Sequence, residues 1–237
     1  MLEHRSCGGE LNRTARSYHG GTTDDLAFVL ETLRSRFPGR RLYVVGVSLG
    51  GNMMLKWFGQ QGASLPNEIV AGATLSPPFD LATTARNADS WMGGAMSRVF
   101  LKSLIPKAIE KARRFPDLLD EEAVRTVRTF REYDTAVTVP LYGFRDAEDY
   151  WTSQSSRHFL SGIRRPVLLV ASRDDPLNPR DTIPEDQLEH SPYLVPLLTE
   201  RGGHASFVTG GAPWRARRWA EERIVRFFDL CEREGSS

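Results

Sequence analysis

Ser48 lies in Gly46-Val47-Ser48-Leu49-Gly50, directly behind the apolar run Leu42 to Val45 and ahead of an apolar stretch with helical spacing. A buried strand that turns at once into a helix through Gly-x-Ser-x-Gly holds its serine on a tight corner, with the hydroxyl pushed clear of the backbone. Side chains at Gly46 or Gly50 are expected to collide with neighbouring backbone at such a corner, and Gly51 gives the first helical turn the same latitude. A serine hydroxyl is a weak nucleophile until a base takes its proton. His204, after Gly202-Gly203, is the candidate base, because an imidazole with an ordinary pKa of about 6.5 can accept that proton and later return it. A carboxylate on the far ring nitrogen would hold the required tautomer and stabilise the imidazolium. Asp175 is placed in that role, with Asp174 as the alternative. The backbone N–H of Leu49, aimed by the start of its helix, is the candidate donor to an oxyanion. Together these groups describe acyl transfer to Ser48, release of an alcohol, and attack of water on the acyl-enzyme.

Each residue also has an ordinary reading. Ser48 could cap a helix, Asp174 and Asp175 could form a turn before Pro176, and His204 could be a polar loop residue. Their joint placement at three strand ends favours the chemical reading. Asp80 follows another strand and is a substitute acid or, more simply, the cap of the next helix. His4, His19, His158 and His190 read as surface or locally hydrogen-bonded residues.

The elements that position these groups follow from periodicity. Thr22 to Asp25 opens a helix running to about Phe37, with Thr22 as candidate N-cap and Leu26, Val29, Leu30, Leu33 and Phe37 as its apolar stripe; Pro38-Gly39 stops it. Strand Leu42 to Val45 precedes a helix from about Leu49 to Gln61, whose Met53, Met54, Trp57 and Phe58 are expected to face a sheet. Further strands are expected at Ile69 to Leu75, Pro166 to Ala171 and Tyr193 to Leu198, and a closing helix at about Trp214 to Cys231 with Ala220, Ile224, Phe227 and Phe228 inward. Between about 82 and 161 the pattern is helical, including Trp91 to Ile109 and Asp120 to Tyr133, and reads as a cap insertion. Trp91, Met92, Met96, Phe100, Tyr142, Phe144 and Trp151 would line an acyl pocket there or pack the cap on itself. Strands alternating with helices predict an α/β fold, a mostly parallel sheet covered on both faces, as a single domain over 1–237. Reactive groups in such sheets gather beyond the carboxyl ends of the strands.

Composition narrows the function classes. The 237 residues hold 31 Lys and Arg against 30 Asp and Glu, for a formal net charge of +1. That balance calls for neither nucleic acid nor an anionic surface, and Arg164-Arg165 and Arg215 to Arg218 read as solvated faces. The two cysteines, Cys7 and Cys231, show neither metal-ligand spacing nor a disulfide framework, so no cofactor or metal is expected and a reducing, cytoplasmic setting fits. No apolar run approaches the roughly 20 residues of a transmembrane helix, and Met1 to Arg5 lack a secretory apolar core.

The chain resembles the alpha/beta-hydrolase family of YheT and the ABHD1/ABHD3-type proteins, whose members are of esterase and lipase type. The resemblance is carried by Cys7 to Arg13, Tyr18 to Leu26, Gly46 to Met53, Ser76 to Leu81, Pro140 to Phe144, Asp174 to Pro176 and Gly202 to His204. It implies an alpha/beta-hydrolase fold and a triad of Ser48, Asp175 and His204, in the chain order usual for that architecture. A serine carboxylester hydrolase acting on a small-molecule ester or a lipid is then the expectation, with thioester or peptide cleavage a related option. The resemblance also implies further strands, and a His-Gly loop supplying a second oxyanion donor, ahead of Met1. The N-terminal part of the fold therefore reads as missing, which would leave an unpaired sheet edge. A noncatalytic remnant that binds a lipid or a partner is the competing expectation.

Overall fold

A computed structural model describes residues 1–210 and 215–234. In chain order the helices are α1 (Asp24–Arg36), α2 (Leu49–Gln61), α3 (Leu81–Ser90), α4 (Ala95–Arg114), α5 (Glu121–Thr126), α6 (Phe130–Tyr133), α7 (Val139–Tyr142), α8 (Ala147–Gln154), α9 (Glu185–Glu189) and α10 (Trp219–Glu234). The strands are β1 (Leu42–Val47), β2 (Ile69–Leu75), β3 (Val167–Ser172), β4 (Leu194–Thr199) and a short pair, β5 (Val208–Thr209) and β6 (Arg217–Arg218). The chain divides into two compact units, one of Met1–Thr22 with Asp80–Gln154, the other of Thr23–Phe79 with the residues from Ser155 on.

The second unit is built on a parallel four-stranded sheet in the order β1-β2-β3-β4. Its inner strands are apolar on both faces, as parallel strands between helices must be. On one face Leu30 of α1 and Met54, Leu55, Trp57 and Phe58 of α2 pack with Ile69, Val167 and Leu169. On the other, Ala220 and Ile224 of α10 pack with Ala73, Leu75, Leu168 and Val170, and Phe227 and Phe228 flank them. Gly72 in β2 lets α2 press close, since a Cβ there would stand 3.0 Å from the Met54 methyl and 3.2 Å from the Phe58 ring.

The register sets the strands' carboxyl ends level. Val47 lies opposite Leu75, Leu75 opposite Val170, and Ser172 opposite Thr199. The ladder runs one step further, with N–H donation from Ser48 to Leu75 O (2.8 Å), Ser76 to Val170 O (2.8 Å) and Arg173 to Thr199 O (2.8 Å). The loops that follow therefore leave from one rim.

The first unit is helical. Its core joins Ala108 and Ala112 of α4 to Leu119, Val124, Val137 and Leu141. A single π-helical turn, Asp134–Thr138, links α6 to α7, and a buried carboxylate, Asp134, accepts from Trp151 Nε1 (2.7 Å) and Thr138 Oγ1 (2.6 Å) within it. The N-terminal segment belongs to this unit because the buried Lys111 ammonium donates to the Asn12 carbonyl (3.2 Å), Asn12 Oδ1 (2.6 Å) and the Thr14 carbonyl. No helix among the described residues is long and apolar enough to cross a membrane.

Several local expectations are corrected. Thr23, not Thr22, is the N-cap of α1, and Phe37 lies outside the helix, 48% exposed, rather than on its buried stripe. β1 continues through Gly46 and Val47 instead of stopping at Val45. The region from Trp91 is a 3-10 turn over Trp91–Gly93 before α4, and Asp120 to Tyr133 is split between α5 and α6. The helical unit ends at Gln154 rather than 161, and α10 starts at Trp219, because Arg217 and Arg218 pair antiparallel with Thr209 and Val208. The expected start of that helix, Trp214, lies outside the described residues.

Candidate active site

Val47 delivers the chain into Ser48 at φ 48° and ψ −123°, a left-handed backbone conformation in which a residue with a Cβ is disfavoured. Two contacts hold it there: its N–H meets Leu75 O, and its carbonyl accepts from Gly51 N at 2.8 Å. Gly46 allows the corner, because a Cβ on it would stand 2.6 Å from both the Gly50 carbonyl oxygen and the Gly51 Cα. Gly51 is required as well, its Cβ position lying 2.9 Å from Pro77 Cβ. Gly50, expected to be equally crowded, has no atom within 4 Å of a Cβ. The second glycine of the pattern is not a steric requirement here.

Ser48 stands at the N-cap of α2, yet its side chain makes no capping bond. Its Oγ lies 2.9 Å from His204 Nε2 instead. The other ring nitrogen, Nδ1, lies 2.8 Å from Asp175 Oδ2. A carboxylate only accepts, so Nδ1 carries the ring proton and donates it, leaving Nε2 as the acceptor for the Ser48 hydroxyl. The Asp175 side chain is 2% exposed and that of His204 20%. Asp175 Oδ1 accepts from the N–H groups of Leu177 (2.9 Å) and Asn178 (3.2 Å), and Oδ2 also accepts from Asn178 Nδ2 (3.3 Å). Donors on both oxygens compensate the burial of that charge.

Asp174 does something else. Its Oδ1 accepts from the N–H groups of Gly202 (2.9 Å) and Gly203 (2.8 Å) and from the Ser172 hydroxyl. The Ser172 bond, followed by those from Gly203 and Gly202, holds this carboxyl below its usual range. Ser76 at the end of β2, also left-handed at φ 47° and buried, accepts from Ala205 N through its Oγ (3.1 Å). Sequence reasoning missed both roles; a paired Asp-Asp after a strand signalled only a choice of acid.

Leu49 is the first residue of α2, where a backbone N–H has no intrahelical acceptor and points out of the helix start. Asp80 caps α3 by accepting from Thr83 N at 3.0 Å. His19 is half-buried, its Nδ1 accepting from Gly21 N and its ring edge-on to Tyr142 and Phe144, and His190 bonds the Asp186 carbonyl. Trp151, Tyr142 and Phe144 pack within the helical unit, while Trp91, Met92 and Phe100 are exposed. Among the described residues no group of three or more His, Cys, Asp or Glu could hold a metal ion.

Residues 2–210 match the family model described as alpha/beta hydrolase fold. The chain is 32% identical over 243 residues to a monoacylglycerol lipase of Saccharomyces cerevisiae, covering 99% of this chain and 52% of that protein. It is 32% identical over 226 residues to YheT of Escherichia coli, covering 94% and 65%, and 28% identical over 229 residues to human phospholipase ABHD3, covering 96% and 55%. It thus spans about half to two thirds of the length of these relatives. An esterase structure from Pyrococcus furiosus matches the fold with a TM-score of 0.52 at 16% identity, over 97% of this chain and 68% of that one. The level strand ends, the strained serine corner and these matches lead to one conclusion: the chain belongs to the alpha/beta-hydrolase fold family, alongside YheT and the ABHD3-type proteins.

Proposed function

We propose that this protein is a serine carboxylester hydrolase of esterase or acylglycerol-lipase type, working through an acyl-enzyme on Ser48. The observation that carries this reading is the unbroken chain from Ser48 Oγ to His204 Nε2 (2.9 Å) and from His204 Nδ1 to Asp175 Oδ2 (2.8 Å). Ser48 Oγ attacks the ester carbonyl carbon as its proton passes to His204 Nε2. Negative charge gathers on the carbonyl oxygen, and the Leu49 N–H at the positive end of α2 is aimed to receive it. The carbonyl re-forms, the bond to the alkoxy group breaks, and His204 gives its proton to the departing alcohol. Water then attacks the acyl-serine carbon as the same nitrogen takes its proton; the bond from that carbon to Ser48 Oγ breaks, His204 returns the proton to Oγ, and a carboxylic acid is released. The Asp175 carboxylate, bonded to Nδ1, orients the ring and steadies the imidazolium. The names of two relatives, a monoacylglycerol lipase and a phospholipase, favour glycerolipid esters as the substrate class.

A fluorophosphonate probe tests this directly, since it phosphonylates an activated serine far faster than an ordinary hydroxyl. Labelling should map to Ser48, and Ser48→Ala should abolish it together with hydrolysis of a p-nitrophenyl ester. Labelling at another residue, or full hydrolysis by Ser48→Ala, would refute the assignment.

A further inference from the structure

His204 occupies a loop whose backbone is left-handed on both sides: Gly203 lies at φ 62°, which glycine adopts freely, and Ala205 at φ 55°. Ala205 bears a Cβ, so its left-handed conformation needs support from outside the loop. The N–H groups next to the histidine show where that support comes from. Gly202 N and Gly203 N both donate to Asp174 Oδ1 (2.9 and 2.8 Å), and Ala205 N donates to Ser76 Oγ (3.1 Å). Asp174 is braced in turn by the hydroxyl of Ser172, the last residue of β3. Gly202 is pressed against the same strand end, because a Cβ on it would stand 2.5 Å from the Phe207 ring and 3.2 Å from Ser172 Cβ. Ser76, 1% exposed, also fastens the acid's loop, its carbonyl accepting from Asn178 Nδ2 at 3.2 Å while that amide reaches Asp175 Oδ2.

We infer that Asp174 and Ser76 are positioning residues that clamp the backbone on the two sides of His204, so that its imidazole is held between Ser48 and Asp175. This rests on the serine-hydrolase reading above and assigns the neighbouring acid a task separate from that of Asp175. Asp174 acts through its acceptor oxygen, and its charge contributes by strengthening those bonds. A displacement of about 1 Å at a reacting group costs about 100-fold in rate, so a slack loop should slow acylation sharply.

The test uses the full chain and two readouts, the rate of fluorophosphonate labelling at Ser48 from about pH 5 to about pH 9, where an imidazole titrates, and the kcat and KM of p-nitrophenyl ester hydrolysis. Asp174→Ala should lower labelling and kcat about 10- to 100-fold with KM little changed. Asp174→Asn keeps a carbonyl oxygen in the place of Oδ1 and should recover most of that loss, with the pH midpoint of labelling unmoved. Ser76→Ala should lose about 3- to 10-fold, in line with one neutral hydrogen bond, and it serves the comparison if Asp174→Ala does not fold. Wild-type rates in Asp174→Ala, alongside an inert Ser48→Ala, would overturn the clamp and leave the hydrolase reading standing. Equal loss in Asp174→Asn and Asp174→Ala with a displaced pH midpoint would also overturn it, since the carboxylate would then act by its charge on the imidazole. An unlabelled wild-type protein would instead sink the hydrolase reading. In that case a crystal structure of Asp174→Ala decides the clamp alone: a His204 ring still 2.9 Å from Ser48 Oγ would overturn it.

Discussion

At the scale of single residues, the corner at Ser48 is a local strain held by specific neighbours. A residue with a Cβ at φ 48° costs about 1–3 kcal/mol, and it persists only where the surroundings determine it. Here the Leu75 carbonyl fixes the N–H, and the missing Cβ of Gly46 lets the Gly50 and Gly51 backbone fold back over the strand end. Gly46→Ala should therefore destabilise the protein by about 1–3 kcal/mol, because its methyl would meet backbone that has nowhere to move. Gly50→Ala should leave stability within about 1 kcal/mol of wild type, on the stabilising side, since its methyl enters open space on a helix that favours alanine. Urea unfolding of the two variants checks the pair. Equal losses would mean that the corner is governed by something other than the close approach at Gly46.

At the scale of elements, the β1–α2–β2 run was largely legible in the sequence. Leu42 onward and Ile69 to Leu75 are apolar runs bounded by Pro38-Gly39 and Pro77-Pro78, and α2 matches its expected bounds. The placement of Ser48, Asp175 and His204 was legible for the same reason, each following a strand whose end could be read. What was not legible rests on pairings distant in sequence. The helical unit ends at Gln154 because the next residues return to the sheet unit: Ser156 N donates to Asn52 Oδ1 at 2.7 Å, and Gly162 approaches so closely that a Cβ would stand 2.3 Å from the Gly59 carbonyl. No periodicity encodes either contact. Likewise Arg217 and Arg218 look like a solvated helical face until Val208 and Thr209 pair with them. The Asn52 contact gives a test. Asn52→Ala adds no bulk at this fully buried site and leaves the buried Ser156 N–H without that acceptor, which should cost at least about 1–3 kcal/mol. A urea midpoint equal to wild type would show that this bond does not hold the returning chain to α2.

At the scale of the whole molecule, a net charge of +1 gives no direction to the response to pH, and the two units contain groups that pull opposite ways. In the sheet unit, hydrogen bonds depress the carboxyls of Asp174 and Glu185, led by those from Ser172 and Arg173 respectively. Their stabilising effect is present above the ordinary carboxylate pKa of about 4 and is lost as pH falls below it. Asp134 in the helical unit is the reverse case. Burial pushes its pKa up to about 6, against the hydrogen bonds from Thr138 and Trp151, with the charge of Asp89 adding to the rise. A raised carboxyl pKa means that the folded unit prefers the protonated acid. Stability from that group is therefore full below about 4 and declines as pH climbs to about 6, by roughly 3 kcal/mol in all. Asp134→Asn cannot ionise, so it removes this decline. Its amide would also leave a buried N–H without a partner, a loss of about 1–3 kcal/mol that is the same at every pH. The informative quantity is consequently the difference in melting temperature between Asp134→Asn and wild type, which should rise in favour of the variant from about pH 4.5 to about pH 7 and then level off. A difference that stays constant across that range would mean that Asp134 does not titrate there and that its burial is compensated by the Trp151 and Thr138 bonds.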